Sequence, residues 1–482
     1  MAEASIAQSE PIECDICVIG GGSAGLSTAA AAAQLGARTV LIERGAMGGD
    51  CLNTGCVPSK SLIAAAHYAH AASAGAAFGV RFPAPEVDFG RVSRHIHDVI
   101  AAIAPHDSVE RFEGLGVRVL RETARFEGPN LVSAGPFLIR ARRYVVATGS
   151  RAAIPPVEGL AAASPLTNET IFEIDVRPDH LIVVGGGPIG LELAQAFRRL
   201  GAQVTVLERF TILPRDEPEA AAIARAVLRD EGVDLHENIE ISKVRRHQGA
   251  VEVAYTVDGQ QRMVIGSHIL VAAGRVPNVE NLGLDKAGVN FGPHGIAVDA
   301  RLRSSNRKIF AIGDVAGGPQ FTHIAAYHAG IVVRNALFWL PAKVVYSALP
   351  WVTYLDPEIA HVGLTEGEAR KQSGPVETVT IGYDDNDRAQ TERRTEGFIK
   401  LVLGKRGKVL GVTIVGPHAG EAIGLWGLVI SRRLPLSAVA GTIAPYPTLS
   451  EISKKAAGTY FAPRLFSGRV KAVVRMIQRW TP

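Results

Sequence analysis

Between Gly48 and Lys60 the chain reads Gly-Gly-Asp-Cys51-Leu-Asn-Thr-Gly-Cys56-Val-Pro-Ser-Lys60. Two cysteines this close can hold and release a pair of electrons, provided the backbone lets them meet. On an ideal helix five steps rise ~7.5 Å, past the ~7 Å Cα limit of a disulfide, so a bridge demands a looped or distorted first turn. Asn53, Thr54 and Gly55 tolerate such a turn. A cysteine at a helix start, with Lys60 about one turn later, feels two sources of positive potential that favour the thiolate. This is the pattern of a redox-active pair. Cys14 and Cys17 also form a C-x-x-C, but three steps along a strand cover roughly 10 Å and odd spacing predicts opposite faces, hence buried filler. A zinc site at Cys51 and Cys56 lacks two further ligands at suitable spacing. His67 and His70, on the helix after Lys60, read as ordinary helix residues.

The elements that must position this pair are written twice. A buried strand over residues 14–19 runs into Gly20-Gly21-Gly22-Ser23-Ala24-Gly25, then an alanine-rich helix to about Leu35 and a strand Thr39 to Ile42 ending at Glu43. The plan returns as Leu181 to Val184, Gly185-Gly186-Gly187-Pro188-Ile189-Gly190, a helix to about Leu200, a strand Gln203 to Leu207, and Glu208. Each carboxylate stands 18 residues past its third glycine. In such a unit the first glycine makes the tight turn, the second admits a pyrophosphate, the third lets helix and strand pack, and the helix N-terminus faces the anion. Glu43 and Glu208 would then each accept hydrogen bonds from an adenosine ribose. At Glu208 this favours NADH, since a 2′-phosphate would meet a carboxylate, while Arg209 and Arg215 keep NADPH open. Ser23 also fits a G-x-S-x-G nucleophile elbow. The second copy, with Pro188 at that position, argues against a hydrolase.

The whole chain is consistent with this. Its 482 residues suggest about three domains, and a net charge of +4 gives no reason to expect nucleic acid. Four cysteines are too few for a disulfide-stapled secreted scaffold. The N-terminus carries Glu3 and Glu10 without a basic start or apolar run, and the longest apolar stretches are interrupted, as by Gln34 and Arg38. A soluble cytoplasmic protein is expected.

Together with the paired loops and the C-x4-C, the chain carries Ala147-Thr148-Gly149, Ala273-Gly274-Arg275-Val276-Pro277-Asn278 and Ile312-Gly313-Asp314, then Asp356-Pro357-Glu358-Ile359, Val362-Gly363-Leu364-Thr365 and Ile414-Val415-Gly416-Pro417-His418-Ala419. This combination, from about residue 12 to 461, resembles the flavin-dependent pyridine nucleotide-disulfide oxidoreductases, which include dihydrolipoamide dehydrogenase, glutathione reductase and mercuric reductase. The resemblance implies an α/β fold with two Rossmann-like dinucleotide-binding domains and a C-terminal α+β dimerisation domain. The boundaries it suggests are 1–152 and 275–345 for the FAD domain, 153–274 for the NAD(P) domain, 346–462 for dimerisation and 463–482 for a basic tail. It places FAD against Gly20, Gly22, Ser23, Ala24, Gly25, Glu43, Arg44, Gly49, Asp50, Cys51, Lys60, Ala124, Ala147, Thr148, Gly149, Gly313 and Asp314. The nicotinamide cofactor falls to Gly185, Gly187, Pro188, Ile189, Gly190, Glu208 and Gly274. Cys56 would be the thiol against the flavin, Cys51 the one that attacks substrate, and Lys60 would pair with Glu192. Electrons would pass from NAD(P)H through FAD to the Cys51–Cys56 pair and on to a small disulfide or soft metal ion, within a homodimer.

Two departures bear on substrate. Disulfide-reducing relatives carry His-Pro-Thr-x-x-Glu near the C-terminus, the His serving as acid and base. Here Tyr446 replaces the His, in a run ending at Glu451. A phenol of pKa near ~10 is a poor base at neutral pH. Mercuric reductase is similar in having Tyr there, and Leu191 to Phe197 also looks like that enzyme. Against it, no cysteine follows Cys56, whereas mercuric reductases carry a C-terminal pair. Hg(II) is therefore the leading acceptor, with lipoamide or another organic disulfide as the alternative. A flavin-binding redox sensor or complex subunit is the competing class. After Pro463 the chain sets Phe466, Val470, Val473, Ile477 and Trp480 at helical spacing among Arg464, Arg469, Lys471, Arg475 and Arg479. This basic amphipathic helix is expected to dock on its own dimer, an anionic membrane being the sharper alternative.

Overall fold

The computed structural model describes residues 10–480, the side chain of Ser73 excepted. Glu3 and most of the segment from which export was excluded lie outside the described residues. The chain divides into two compact units: one runs up to Phe210 and takes in His236–Val344, the other takes in Thr211–Leu235 and the chain from Val345 onward.

The first unit is built on parallel sheets, whose strands are buried on both faces and read as continuous apolar runs. Ile12–Ile19 lies between Thr39–Ile42 and Phe137–Val146, parallel to both, with Val117–Leu120 outside Thr39–Ile42. Ile309–Ala311 returns from far along the chain to pair with Phe137–Val146, which brings Gly313 and Asp314 beside the first glycine loop's sheet. The repeat unit has the same core: His180–Val184 pairs in parallel with Gln203–Leu207 on one side and His268–Val271 on the other. Both loop helices form as the sequence predicts, Ser23–Gln34 and Pro188–Arg199, the latter with proline in its first turn, where the missing N–H costs nothing.

The strand Ile12–Ile19 departs from simple alternation. Asp15 and Ile16 both donate their backbone N–H to the Arg38 carbonyl, at 2.9 and 3.2 Å. The pairing with Phe137–Val146 nevertheless keeps its register through this point, from Cys14 opposite Ala141 to Ile16 opposite Arg143. Cys14 and Cys17 line one core cluster rather than opposite faces, which corrects the expectation from spacing. Both are still inert filler. Burial pushes the Cys14 thiol up to about 12, and burial and Cys14 hold Cys17 well above the usual thiol range.

The second unit is a five-stranded antiparallel sheet in the order Pro350–Thr353, Glu358–Gly363, Val409–Gly416, Phe398–Leu403, Glu377–Gly382. Helices Ala419–Ser431 and Glu451–Leu465 contribute Trp426, Ile452, Ala456 and Tyr460 to its core, and the Trp426 indole donates to Ser453 Oγ at 3.1 Å. Lys400, only 4% exposed, is surrounded by Glu217, Glu219 and Glu366 at 3.1, 2.9 and 2.7 Å. The tail helix starts later than the sequence suggested. Pro463 sits inside Glu451–Leu465, and a new helix, Gly468–Gln478, begins where Ser467 accepts the Val470 N–H at 3.4 Å. Among the described residues no helix is long and apolar enough to cross a membrane.

Candidate redox and dinucleotide site

The cysteine pair sits at a break between two helices. Cys51 lies in the short helix Gly49–Asn53 and Cys56 is the first residue of Cys56–Ala74, with Thr54 and Gly55 in non-helical conformations between them. This is the looped turn the spacing demanded. Gly49 is at φ +60, and a Cβ there would come within 2.6 Å of Gly22 Cα, so the segment is pressed against the first glycine loop. Asp50 braces the turn: it accepts from Thr54 Oγ1 at 2.9 Å and from Asn168 Nδ2 at 2.8 Å, and pairs with Arg275 at 3.3 Å.

The two thiols are polarised against each other. Cys56 is lowered to about 6, first by the hydrogen bond from Cys51, then by the Thr322 hydroxyl 3.4 Å from its sulfur and by the Lys60 charge, with burial and Asp50 opposing. Cys51 moves the other way, held protonated by that same bond to Cys56 and by burial. One thiolate and one thiol therefore share a proton donor and acceptor within the pair, with Cys56 open to solvent and Cys51 partly covered. Lys60 Nζ donates to Glu192 Oε2 at 2.8 Å, and Glu192 is 6% exposed. That contact ties the cysteine-bearing helix to the helix of the second glycine loop.

The two loops can be tested for a dinucleotide residue by residue. A Cβ on Gly20 would lie 2.3 Å from Ala147 O, and one on Gly185 would lie 2.5 Å from Ala272 O. On Gly25 and Gly190 it would fall 1.8 and 2.1 Å from the carbonyl of the first glycine of the same loop. The middle glycines differ: at Gly187 a Cβ meets nothing within 4 Å, and at Gly22 nothing nearer than 3.7 Å. The first and third glycines are thus required by the protein's own packing, while the middle ones leave room on the outside. Neither helix has a side-chain cap at its N-terminus, so its first N–H groups face that room. Glu43 accepts from Gly21 N and Gly45 N at 2.5 and 2.6 Å, and Glu208 from Gly186 N and Phe210 N at 2.6 and 2.8 Å. The arrangement fits an FAD at one loop and a nicotinamide dinucleotide at the other.

The remaining residues fall into place around this. Asp314, raised by burial, accepts from Ser150 Oγ at 2.5 Å with Arg275 3.7 Å away, and Arg275 itself donates to Ser150 Oγ at 2.7 Å. Ala147, Thr148 and Gly149 lead from the central strand into Ser150–Ala152, which pairs with Arg275–Pro277 just after Gly274. Gly313 N donates to His328 Nδ1 at 3.1 Å. Ser23 and Ala24 open the first loop's helix, and Pro188 and Ile189 are exposed at the second. Arg44 is exposed, whereas the Ala124 side chain is packed in the sheet's core. Tyr446 and Glu451 belong to the second unit, where the Tyr446 hydroxyl donates to Asp387 Oδ2 at 2.8 Å and is raised by that carboxylate. Sequence reasoning missed Thr322, Ser150 and Asn168, and quoted Arg275 without a role. Thr322 lies 266 residues from Cys56, and no local signal ties them. Among the described residues no group of three or more His, Cys, Asp or Glu could hold a metal ion, His67 and His70 included.

Comparison with known proteins bears on the same residues. The model of the pyridine nucleotide-disulphide oxidoreductase family matches residues 14–329, and that of the family's dimerisation domain matches 349–457. A mercuric reductase of Streptomyces lividans is 36% identical over 455 residues, covering 92% of this chain and 96% of the relative. A dihydrolipoyl dehydrogenase of Geobacillus stearothermophilus is 34% identical with the same two coverages. The Cu(II) complex of the HOCl-induced flavoprotein disulfide reductase RclA from Escherichia coli superposes with a TM-score of 0.82 at 27% identity, over 92% of this chain and 99% of that one.

Proposed function

Because the chain belongs to the pyridine nucleotide-disulphide oxidoreductases, we propose that its Cys51–Cys56 pair delivers electrons to a soft, thiol-seeking metal ion, Hg(II) being the test case. It is an enzyme that uses FAD and a nicotinamide dinucleotide. The observation that carries the metal reading is Tyr446. Its phenol is committed to Asp387 and raised by it, so the position where disulfide-reducing relatives keep an imidazole has no group that cycles a proton near neutrality. A metal ion needs thiolates more than a proton shuttle, and the pair already holds one.

In this reading the loop Gly20–Gly25 with Glu43 holds the FAD diphosphate and ribose, and Gly185–Gly190 with Glu208 holds the nicotinamide dinucleotide, preferring NADH. Bound flavin supplies two-electron transfer between the nicotinamide and the thiol pair. Asp314, oriented by Ser150 and Arg275, bonds the ribityl chain. Lys60, fixed by Glu192, keeps positive charge beside the Cys56 thiolate. Cys51, still protonated and on the substrate side, gives up its proton as it ligates the incoming ion, so both sulfurs bind Hg(II) before reduction. The net change is NADH plus Hg(II) to NAD+, a proton and Hg(0), which balances charge and electrons. The domain boundaries given by the resemblance, a homodimer that brings Tyr446 and Glu451 to the partner's cysteines, and a cytoplasmic setting complete the reading.

The test is steady-state NADH oxidation with Hg(II) plus excess thiol, Cu(II), lipoamide and glutathione disulfide in parallel. Cys51-dependent turnover should be fastest with Hg(II), and roughly tenfold slower with NADPH than NADH by kcat/KM. Brisk lipoamide turnover with slow Hg(II) turnover would instead favour the organic-disulfide reading, which the dihydrolipoyl dehydrogenase relative also supports. No brisk turnover with any acceptor would leave the redox-sensor class.

A further inference from the structure

The helix Gly468–Gln478 begins beyond residue 457, where the match to the dimerisation domain ends, and none of its residues is buried. With 3.6 residues per turn, Val470, Val473, Val474, Ile477 and Trp480 fall within an arc of about 120°, while Lys471, Arg475 and Arg479 fall on the opposite side. Phe466 is 64% exposed, Val473 50% and Trp480 85%. Arg469 stands at the edge of the apolar arc, beside Trp480. From Arg464 to the last residue the chain has five cations and no Asp or Glu.

Charge selects the occupant of this face. A second copy laid against it would bring together two cationic helices with no counter-charge, a juxtaposition that interfaces avoid. An anionic bilayer supplies counter-charge along the basic side and at Arg469, and its acyl boundary takes the apolar arc, with the amphipathic Trp480 ring at headgroup level. At about 1.5 Å per residue the helix is far too short to span ~30 Å of hydrocarbon, so it must lie in the interface plane. We propose that residues 466–480 hold the enzyme on an anionic lipid surface by this helix.

The test is flotation of the full-length holoenzyme with phosphatidylcholine vesicles, with and without phosphatidylglycerol. Flotation with the anionic vesicles is expected to exceed that with neutral ones at least ~tenfold, and to fall in about 0.5 M salt. Val473→Glu spares the cations and Lys471→Glu with Arg475→Glu spares the apolar arc; each should lower flotation ~tenfold while FAD content and NADH-dependent turnover stay unchanged. Equal flotation with both vesicle types, or none with either, overturns the proposal. So does a Val473→Glu protein that floats like wild type, which would mean charge alone. If Val473→Glu lowers the mass measured by light scattering, the face belongs to a second copy and the lipid assignment is wrong.

Discussion

At pH 7 a thiol that titrates near 6 is about nine-tenths ionised, whereas an ordinary thiol near ~8.5 is a few per cent ionised. Iodoacetamide alkylation of the reduced protein should therefore show a midpoint near 6 at Cys56, below that of Cys51. Thr322→Val should move that midpoint up by about half a unit to one unit, since it removes a hydrogen bond to the charged form. A midpoint left in place would mean the hydroxyl does nothing for the thiolate. The same scale distinguishes substrates. Tyr446→His should raise turnover of lipoamide or glutathione disulfide by ~tenfold or more by restoring a base, while Tyr446→Phe should leave Hg(II) turnover within about twofold. The cysteines, Lys60 and Glu192 were legible because a helix start and a motif position announce them. Thr322 and Asn168 were not, because only the folded chain brings them near the pair.

The glycine loops make element-scale predictions that separate folding from binding. Gly25→Ala pushes a methyl to within 1.8 Å of Gly20 O, so helix and strand must part; loss of bound FAD and a clear drop in thermal stability are expected. Gly187→Ala meets nothing within 4 Å of protein, so its melting temperature should match wild type within a degree or two. Its KM for NADH should nonetheless rise ~tenfold, because the methyl occupies the approach to the diphosphate. An unchanged KM would remove the nucleotide from that loop. The strand, loop, helix and strand of both copies could be read from the sequence because local periodicity and glycine placement dictate them. The Arg38 carbonyl shared by the N–H groups of Asp15 and Ile16 could not, since it depends on how a neighbouring segment is presented. Lys400 gave no hint either. Its three carboxylates come from distant segments of the second unit, and Lys400→Met should cost about 3 kcal/mol in denaturant unfolding by leaving the buried Glu217 without its cation.

For the whole molecule, stability should depend on two buried histidines, one in each unit. Burial depresses His328, which accepts from Gly313 N, to about 4, and depresses His361, packed 4.3 Å from the Trp351 ring, to about 4. In the unfolded chain both titrate near ~6.5. Their neutral forms thus contribute fully above ~6.5, and the contribution is lost as pH falls from there to about 4, by at most about 3 kcal/mol each. Asp314 and Glu358, raised by burial, offset part of this in the carboxylate range. The melting temperature should fall across that window, and His361→Gln should flatten the fall; a flat wild-type profile would contradict the assignment. The four thiols are unequally distributed between surface and interior, with Cys14 and Cys17 sealed in the central strand of the first unit and Cys51 and Cys56 accessible. A coloured thiol reagent added to the reduced protein should therefore count two groups while the first unit is intact and four once its sheet opens. The protein carries a built-in gauge of its own unfolding, readable in a crude mixture without a label.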